Sequence, residues 1–225
     1  KKVVNIHIQN PKVSLQNFDF VVVPDHDSID GPNVLISKGA IHYLTIDEIN
    51  NAKSYLVNKI EKGKDVITLI LGGPTKYYSY SKEHIIQIFS KINKQILEKN
   101  LQLILIPSNR TPENIIHFAK EYFNKNSLIV DSVDKQAYLS SLSLAKYIIV
   151  TCDSSSMISE AALTEKPIYV AMIPATRSDK RFQKFRNLLE SMNIIRKLED
   201  EIDTWSYEKL DETNRIARLI KEKLS

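Results

Sequence analysis

One segment of the chain combines residue types that could bind an anionic ligand. An apolar run at residues 147–150 ends at a cluster of small polar residues, 153–156, and an amphipathic helical pattern follows. This spacing predicts a strand, a polar turn and a helix that begins on serines. A helix N-terminus carries unpaired backbone N–H groups and a partial positive charge, so it can bind an anion. The helix start is therefore a candidate phosphate site.

Glu160 lies four residues after Ser156, so both side chains share one face of the predicted helix. A carboxylate behind a phosphate site could accept hydrogen bonds from two ribose hydroxyls, and the pair would suit a nucleotide. A structural explanation fits the same spacing: Asp153 or Ser154 only caps the helix, and Glu160 is an ordinary surface residue. Spacing alone leaves both explanations open.

The apolar pattern alternates between strands and helices over residues 65–173. Nearly continuous Val/Ile/Leu strands are typical of a parallel sheet covered on both faces, with its ligand cleft at the carboxyl ends of the strands. Polar loops follow four of these strands, at residues 72–75, 107–111, 131–132 and 153–156. Three shorter strands precede this region, at residues 3–8, 18–23 and 33–37. A helix is expected at 46–60 and a closing helix at 207–224. We also expect Thr111 to cap a helix that begins at Pro112.

Three further groups could do chemistry, and each has a simpler explanation. Gly72 and Gly73 would let the backbone approach a ligand, although they match neither the dinucleotide nor the P-loop fingerprint, and a tight turn also uses glycines. Arg110 could clamp a phosphate with two hydrogen bonds or be a surface arginine. His26 and Asp27 have acid/base potential, but a structural turn after Pro24 would also explain them.

Bulk properties narrow the function classes. The net charge of +4 is small and dispersed, so we expect no nucleic-acid partner. The single cysteine, Cys152, excludes an internal disulfide and suits a reducing compartment; we expect it to be inert and buried. The five histidines show no metal-ligand spacing, so no metal and no cofactor are expected. No apolar run approaches the ~20 residues that span a bilayer. We predict a cytoplasmic protein, free or peripheral to a membrane.

Seven segments occur together in an order found in a known family. They are Ile8-Gln-Asn-Pro11, Phe18-Asp-Phe-Val-Val-Val-Pro-Asp-His-Asp27, Gly31-Pro-Asn-Val-Leu35, Gly39-Ala-Ile-His42, Leu71-Gly-Gly-Pro74, Ser108-Asn-Arg-Thr-Pro112 and Asp153-Ser-Ser-Ser-Met-Ile-Ser-Glu-Ala161. The chain resembles the mitochondrial-fission ELM (elongated mitochondria) family over nearly its whole length. This bacterial and plant group has a GT-B, glycosyltransferase-like architecture and is often described as nucleoside-diphosphate-sugar epimerase-like.

The last of these segments is similar to the donor-binding loop of nucleotide-sugar GT-B enzymes, such as the lipid A disaccharide and lipid II glycosyltransferases. The resemblance implies that the serines bind phosphate, Glu160 binds the ribose, Arg110 neutralises the diphosphate and the two glycines line the interdomain cleft. One departure is Cys152, where family members usually carry glycine. The implied nucleotide-sugar site comprises Gly72, Gly73, Arg110, Ser154, Ser155, Ser156 and Glu160.

The resemblance implies an α/β, GT-B-like fold. It has a doubly wound parallel sheet in a C-terminal Rossmann-like domain and the last strands of an incomplete N-terminal Rossmann-like domain. The expected boundaries are 1–45 for the N-terminal remnant, 46–64 for an interdomain helix and linker, 65–205 for the nucleotide-binding domain, and 206–225 for a helix that crosses back to the N-terminal part. GT-B enzymes hold the acceptor and the general base in the first domain, so the catalytic residues stay unknown, with His26 and Asp27 as weak candidates.

Three functions follow as hypotheses. The first is a glycosyltransferase that moves a hexosyl group from a nucleoside-diphosphate sugar to an unknown acceptor, which could be a protein or a membrane-associated molecule. The alternative is a non-catalytic GT-B scaffold that acts as a protein-interaction module. An epimerase is a weaker third hypothesis, since Tyr55 and Lys59 fit the Tyr-x-x-x-Lys spacing by chance and the dinucleotide fingerprint is absent. Because the acceptor domain looks incomplete, we expect weak nucleotide binding and no sugar transfer by this 225-residue chain.

Overall fold

A computed structural model describes residues 3–224 of the chain. Its strands are β1 (Ile6–Ile8), β2 (Phe20–Pro24), β3 (Val34–Ser37), β4 (Asp65–Leu71), β5 (Leu101–Pro107), β6 (Leu128–Ile129), β7 (Ala145–Thr151), β8 (Ile168–Ala171) and β9 (Ile195–Lys197). Its α-helices are α1 (Ile46–Asn51), α2 (Ser54–Val57), α3 (Lys82–Lys99), α4 (Glu113–Tyr122), α5 (Lys135–Leu144), α6 (Ser155–Ala161), α7 (Lys180–Ser191) and α8 (Glu212–Leu224).

The strands form two sheets, and every strand pair in both sheets is parallel. The first sheet has the order β1-β2-β3 and the second has the order β6-β5-β4-β7-β8-β9. The second order is that of the doubly wound Rossmann sheet, in which the chain reverses direction across the sheet between β4 and β7. The predicted α/β class with Rossmann-like parallel sheets is confirmed.

Helices cover both faces of the six-stranded sheet. Successive side chains of a strand point to opposite faces. Accordingly, Ile67 of β4 belongs to the large core that includes Phe89 of α3, whereas Val66 packs in a second cluster with Ala137 of α5. Burial on both faces is why these strands read as almost uninterrupted apolar runs.

The closing helix α8 packs against the N-terminal sheet. Ile216 is buried with Phe20, Val22 and Leu35, which share one face of that sheet. The Glu212 carboxylate also accepts a hydrogen bond from the backbone N–H of Lys38, at 2.6 Å. The chain therefore returns at its end to the sheet with which it begins.

Some predicted elements differ from the observed ones. The helix expected at 46–60 is two short helices, α1 and α2, and the closing helix begins at Glu212 and not at residue 207. The strand β9 was not predicted. The four predicted domain boundaries stay predictions, and their outer limits, residues 1 and 225, lie outside the described residues.

The prediction that Thr111 caps α4 is wrong. Pro112 occupies the N-cap position, and α4 begins at Glu113. The Thr111 hydroxyl lies 2.7 Å from the carbonyl oxygens of Leu71 and of Gly72. It therefore ties the loop after β5 to the end of β4. The same hydroxyl accepts a hydrogen bond from the backbone N–H of Ser108 at 2.8 Å and not from the first turn of α4.

A buried charged network anchors α7 to the loop after β4. Arg186 and Asp179 are each only 5% exposed, and they form an ion pair at 3.0 Å. The Tyr78 hydroxyl donates to Asp179 at 2.5 Å and accepts from Arg186 at 3.1 Å. Burial opposes ionisation of Asp179, but the hydrogen bonds from Tyr78 and Arg186 outweigh it and hold the pKa of this carboxyl below its usual value.

Replacing Arg186 by methionine should destabilise the protein by about 3–5 kcal/mol, because it leaves the buried Asp179 carboxylate without its ion-pair partner. Urea unfolding at neutral pH measures this loss. Arg177→Met, at an exposed position, is the matched control and should change stability little. The deficit should shrink as the pH falls below about 4, because a carboxyl with a lowered folded pKa contributes stability only while it is ionised. Equal stability of the two variants at neutral pH would contradict the role assigned to this network.

Candidate functional site

The loops after β4, β5 and β7 meet on one fully buried carboxylate. Asp153, two residues after β7, forms an ion pair with Arg110 at 2.8 Å and accepts a hydrogen bond from the backbone N–H of Gly73 at 3.3 Å. The Tyr80 hydroxyl also donates to Asp153, and it lies 2.9 Å from Thr151. This Asp153 cluster fills the place where the sheet order reverses, which is where doubly wound folds usually bind ligands.

Gly72 and Gly73 are buried in this cluster, and no larger residue would fit at either position. A Cβ atom added at Gly72 would overlap the carboxylate of Asp153, and one added at Gly73 would overlap the backbone carbonyl of Arg110. The two glycines therefore allow three loops of the protein to approach each other closely. Neither glycine lines the cavity described below.

Arg110 is partly committed to the protein itself. Its guanidinium bonds Asp153 through Nη2 and donates to the carbonyl oxygen of Gly73 through Nη1, at 3.0 Å. The side chain is nevertheless 40% exposed, and a guanidinium has five N–H donors. Donors remain for an anion, although the neighbouring carboxylate reduces the positive potential that the anion would meet.

The start of α6 combines a cap with exposed hydroxyls. Ser154 is the N-cap, and its hydroxyl accepts from the backbone N–H of Met157 at 3.3 Å. Ser155 is half-buried and Ser156 is exposed. The structural explanation therefore accounts for Ser154, while the hydroxyls of Ser155 and Ser156 face a cavity.

This cavity lies between the two sheets and has a volume of about 300 Å³. Ser155 and Ser156 line it from the side of α6, and residues that follow β1, β2 and β3 line it from the N-terminal side. His26, Asp27 and Arg181 also belong to its wall. We call it the cleft cavity. The structure thus brings two of the three predicted serines, Ser155 and Ser156, and the His26–Asp27 pair to one cavity.

Arg181 lies at the start of α7 and forms an ion pair with Asp27. His26 Nε2 lies 3.7 Å from Asp27 Oδ1, and the imidazole packs edge-on against Phe185. Burial lowers the pKa of His26, against an opposing effect of Asp27. The imidazole is therefore neutral near pH 7 and can accept a proton.

Glu160 lies near the cleft cavity but is not part of its wall. It is half-buried and accepts a hydrogen bond through Oε2 from the Tyr138 hydroxyl, at 2.6 Å. Within residues 3–224, Oε1 receives no hydrogen bond from the protein. One carboxylate oxygen is thus held by α5, and the other is available to a ligand.

Sequence reasoning missed three members of this region. Arg181 supplies a cation on the cavity wall, the Tyr80 hydroxyl bonds Asp153, and the Tyr138 hydroxyl bonds Glu160. No local pattern marks them, since each acts on a residue at least 22 positions away along the chain. Asp153 itself was considered only as a helix cap, and its partners lie on the β4 and β5 loops.

Cys152 is buried, as predicted. Its sulfur accepts a hydrogen bond from the backbone N–H of Ile173 at 3.3 Å. Burial raises the pKa of the thiol to about 11, so the thiolate is scarce at neutral pH and the residue is a poor nucleophile.

The chain matches a known protein family. The model of the family described as Mitochondrial fission ELM1 matches residues 1–224. The chain belongs to this family. This ELM1-family chain is 29% identical to the uncharacterized protein RP120 of Rickettsia prowazekii (strain Madrid E), covering 96% of the chain and 72% of that protein. It is 24% identical to the mitochondrial fission protein ELM1 of Arabidopsis thaliana, covering 98% of the chain and 58% of that protein.

Solved structures resemble the chain only distantly. UDP-GlcNAc 2-epimerase of Methanocaldococcus jannaschii, in complex with UDP-GlcNAc and UDP, has a TM-score of 0.49 and 15% identity, covering 92% of the chain and 62% of that protein. The wall teichoic acid polymerase TagF H548A has a TM-score of 0.43 and 12% identity, covering 92% of the chain and 58% of that protein. The chain therefore spans about six-tenths of these structures.

Two kinds of feature are absent from the described part of the ELM1-family chain. In residues 3–224, no helix is long and apolar enough to cross a membrane. The same residues contain no group of His, Cys, Asp and Glu side chains arranged to hold a metal ion. The cytoplasmic location expected from the sequence stays a prediction.

Substituting alanine for Gly73 should destabilise the fold by about 1–3 kcal/mol, as overpacking of a core site does, because the new Cβ would push the Arg110 backbone away from Asp153. Thermal unfolding of the variant measures this effect. Gly63→Ala is the control: nothing lies within 4 Å of an added Cβ there, although its φ of +85° imposes some strain. A Gly73→Ala protein as stable as Gly63→Ala would show that the loops can separate freely.

Proposed function

We propose that this chain binds a nucleoside-diphosphate sugar in the cleft between its two sheets. The observation that carries the proposal is the cleft cavity, which is lined by Ser155 and Ser156 from α6, by Arg181 from the start of α7 and by His26 from the N-terminal side. Hydroxyls and a guanidinium are suitable partners for phosphate oxygens. A volume of about 300 Å³ is at the lower end of ordinary ligand sites, so the cavity would hold only part of such a ligand.

Glu160 supports one orientation of this ligand. It lies one helical turn from Ser156, about 6 Å along the axis, and its Oε1 is available to accept from ribose hydroxyls. With the diphosphate at the serines, the ribose would lie beside Glu160. The sugar on the other side of the diphosphate would then point into the cleft cavity, toward His26.

The finer proposal is hexosyl transfer by the whole protein to an acceptor hydroxyl. His26, kept neutral by burial, would accept the proton of that hydroxyl as it attacks the sugar. The bond from the sugar to the diphosphate would break, and Arg181 would stabilise the charge on the leaving diphosphate. Asp27, already paired with Arg181, would orient the guanidinium. The acceptor, in this proposal, is a protein or a membrane-associated molecule.

A scaffold function is the second candidate, and one observation favours it. Gly72, Gly73 and Arg110 each have a structural role around Asp153, and that role alone would explain their presence without a ligand. The plant relative is named a mitochondrial fission protein, a role that a protein-interaction module could also serve. Binding measurements separate the two candidates.

Glu160→Ala should weaken nucleotide binding by roughly tenfold or more, because it removes one or two charge-assisted hydrogen bonds to the ribose. Calorimetric titration with UDP, GDP, ADP and CDP, and with sugars linked to these nucleoside diphosphates, measures the change in affinity. Glu160→Gln should bind with intermediate affinity while still accepting from Tyr138, so it separates loss of charge from loss of packing. Glu165→Gln, at an exposed position, is the matched control.

The result that would remove the donor-site proposal is an absence of binding to every nucleotide in this panel. The scaffold would then be the better explanation. Equal nucleotide affinities of wild type and Glu160→Ala would instead retain binding but remove the ribose role of Glu160.

A further inference from the structure

Tyr43 is the most exposed aromatic side chain among the described residues, at 72%. It lies in the segment between β3 and α1, which runs against α6. The backbone N–H of Ala40 in this segment donates to Ser159 of α6 at 2.9 Å. An aromatic ring left largely in water beside a helix that carries candidate ligand residues calls for a physical explanation.

The neighbours of Tyr43 connect it to Glu160. The Lys135 ammonium lies over the Tyr43 ring, 4.9 Å from its centroid, and is itself 3.8 Å from the Glu48 carboxylate. Burial raises the pKa of Tyr138 well above its usual value, and Glu160 and then Tyr43 add to the rise. Lys135 is the first residue of α5, and Tyr138 follows three residues later on the same side of that helix, where its hydroxyl bonds Glu160 at 2.6 Å. Tyr43 therefore packs against the end of α5 that carries Tyr138. One face of its ring meets Lys135, and its high exposure leaves the remainder of the ring accessible.

An accessible aromatic ring and an available carboxylate oxygen are the two groups that hold the nucleoside part of a nucleotide. A nucleobase stacks on an aromatic ring whatever its hydrogen-bonding edge, and ribose hydroxyls donate to a carboxylate. The serines that line the cleft cavity lie on the same helix as Glu160, one turn before it. The groups therefore follow the order of base, ribose and diphosphate.

We propose that the Tyr43 ring is the stacking platform for the nucleobase, with the ribose at Glu160 and the diphosphate at Ser155 and Ser156. This inference rests on the proposed nucleotide-sugar site and adds to it a residue outside the cleft cavity and outside the helix-start motif. Stacking favours a nucleoside diphosphate over inorganic diphosphate, without selecting one base.

The test compares Tyr43→Ala and Tyr43→Phe with wild type by calorimetric titration, using UDP, GDP, ADP, CDP and inorganic diphosphate as separate ligands. Tyr43→Ala should weaken the binding of nucleoside diphosphates about tenfold or more and leave the affinity for inorganic diphosphate unchanged, because only the base contacts the ring. Tyr43→Phe should retain the affinity, since the ring remains. Tyr55→Ala removes a second exposed tyrosine, which bonds Asp134 at 2.8 Å, and should bind as wild type does.

Each contrary outcome has a distinct meaning. If Tyr43→Ala binds every nucleoside diphosphate as tightly as wild type while Glu160→Ala binds them weakly, the platform is wrong and the proposed site stands. If Tyr43→Ala and Tyr55→Ala lose affinity for the nucleoside diphosphates equally, the effect is not stacking and the platform is again wrong. The same conclusion holds if Tyr43→Ala loses affinity for inorganic diphosphate in parallel. If wild type binds no nucleotide, both the platform and the proposed function are wrong.

Discussion

The buried carboxylate of Asp153 is the constraint on which the loops at the carboxyl ends of β4, β5 and β7 depend. An ionised group without solvent needs partners, and their loss would be strongly destabilising. The partners come from different loops: a backbone N–H at Gly73, a guanidinium at Arg110 and a hydroxyl at Tyr80. The loops after β4, β5 and β7 are consequently held together. Glycine occupies positions 72 and 73 because the loops approach too closely there for a side chain.

This packing changes where a ligand can bind. In a doubly wound sheet the crevice at the reversal of strand order is the usual ligand site, but here the Asp153 cluster occupies it. The cleft cavity lies further out, between α6 and the N-terminal sheet. Two contacts fix its walls: Ala40 bonds Ser159 of α6, and Lys38 bonds Glu212 of α8. The small N-terminal sheet therefore contributes to the wall of this cavity.

The residues expected to bind a ligand lie in three different environments. Gly72, Gly73 and most of Arg110 belong to the packing around Asp153. Ser155 and Ser156 face the cleft cavity, and Glu160 projects one turn beyond it toward Tyr138. A similar distinction applies to the cations: Arg181 lines the cavity, whereas Arg110 does not. These differences follow from which loops touch, and they separate structural residues from candidates for binding.

The sequence by itself determined the fold class, five of the six strands of the larger parallel sheet and the strand–turn–helix at Ser154, because these depend on local apolar periodicity and turn chemistry. The order of its motifs also indicated the family. Tertiary structure decided what periodicity does not encode. Asp153 attracts Arg110, Thr111 bonds the β4 carbonyls instead of capping α4, and Arg181 reaches Asp27 from 154 positions away. Such partners are chosen by proximity in the folded chain, where burial makes an unpaired charge or carbonyl costly.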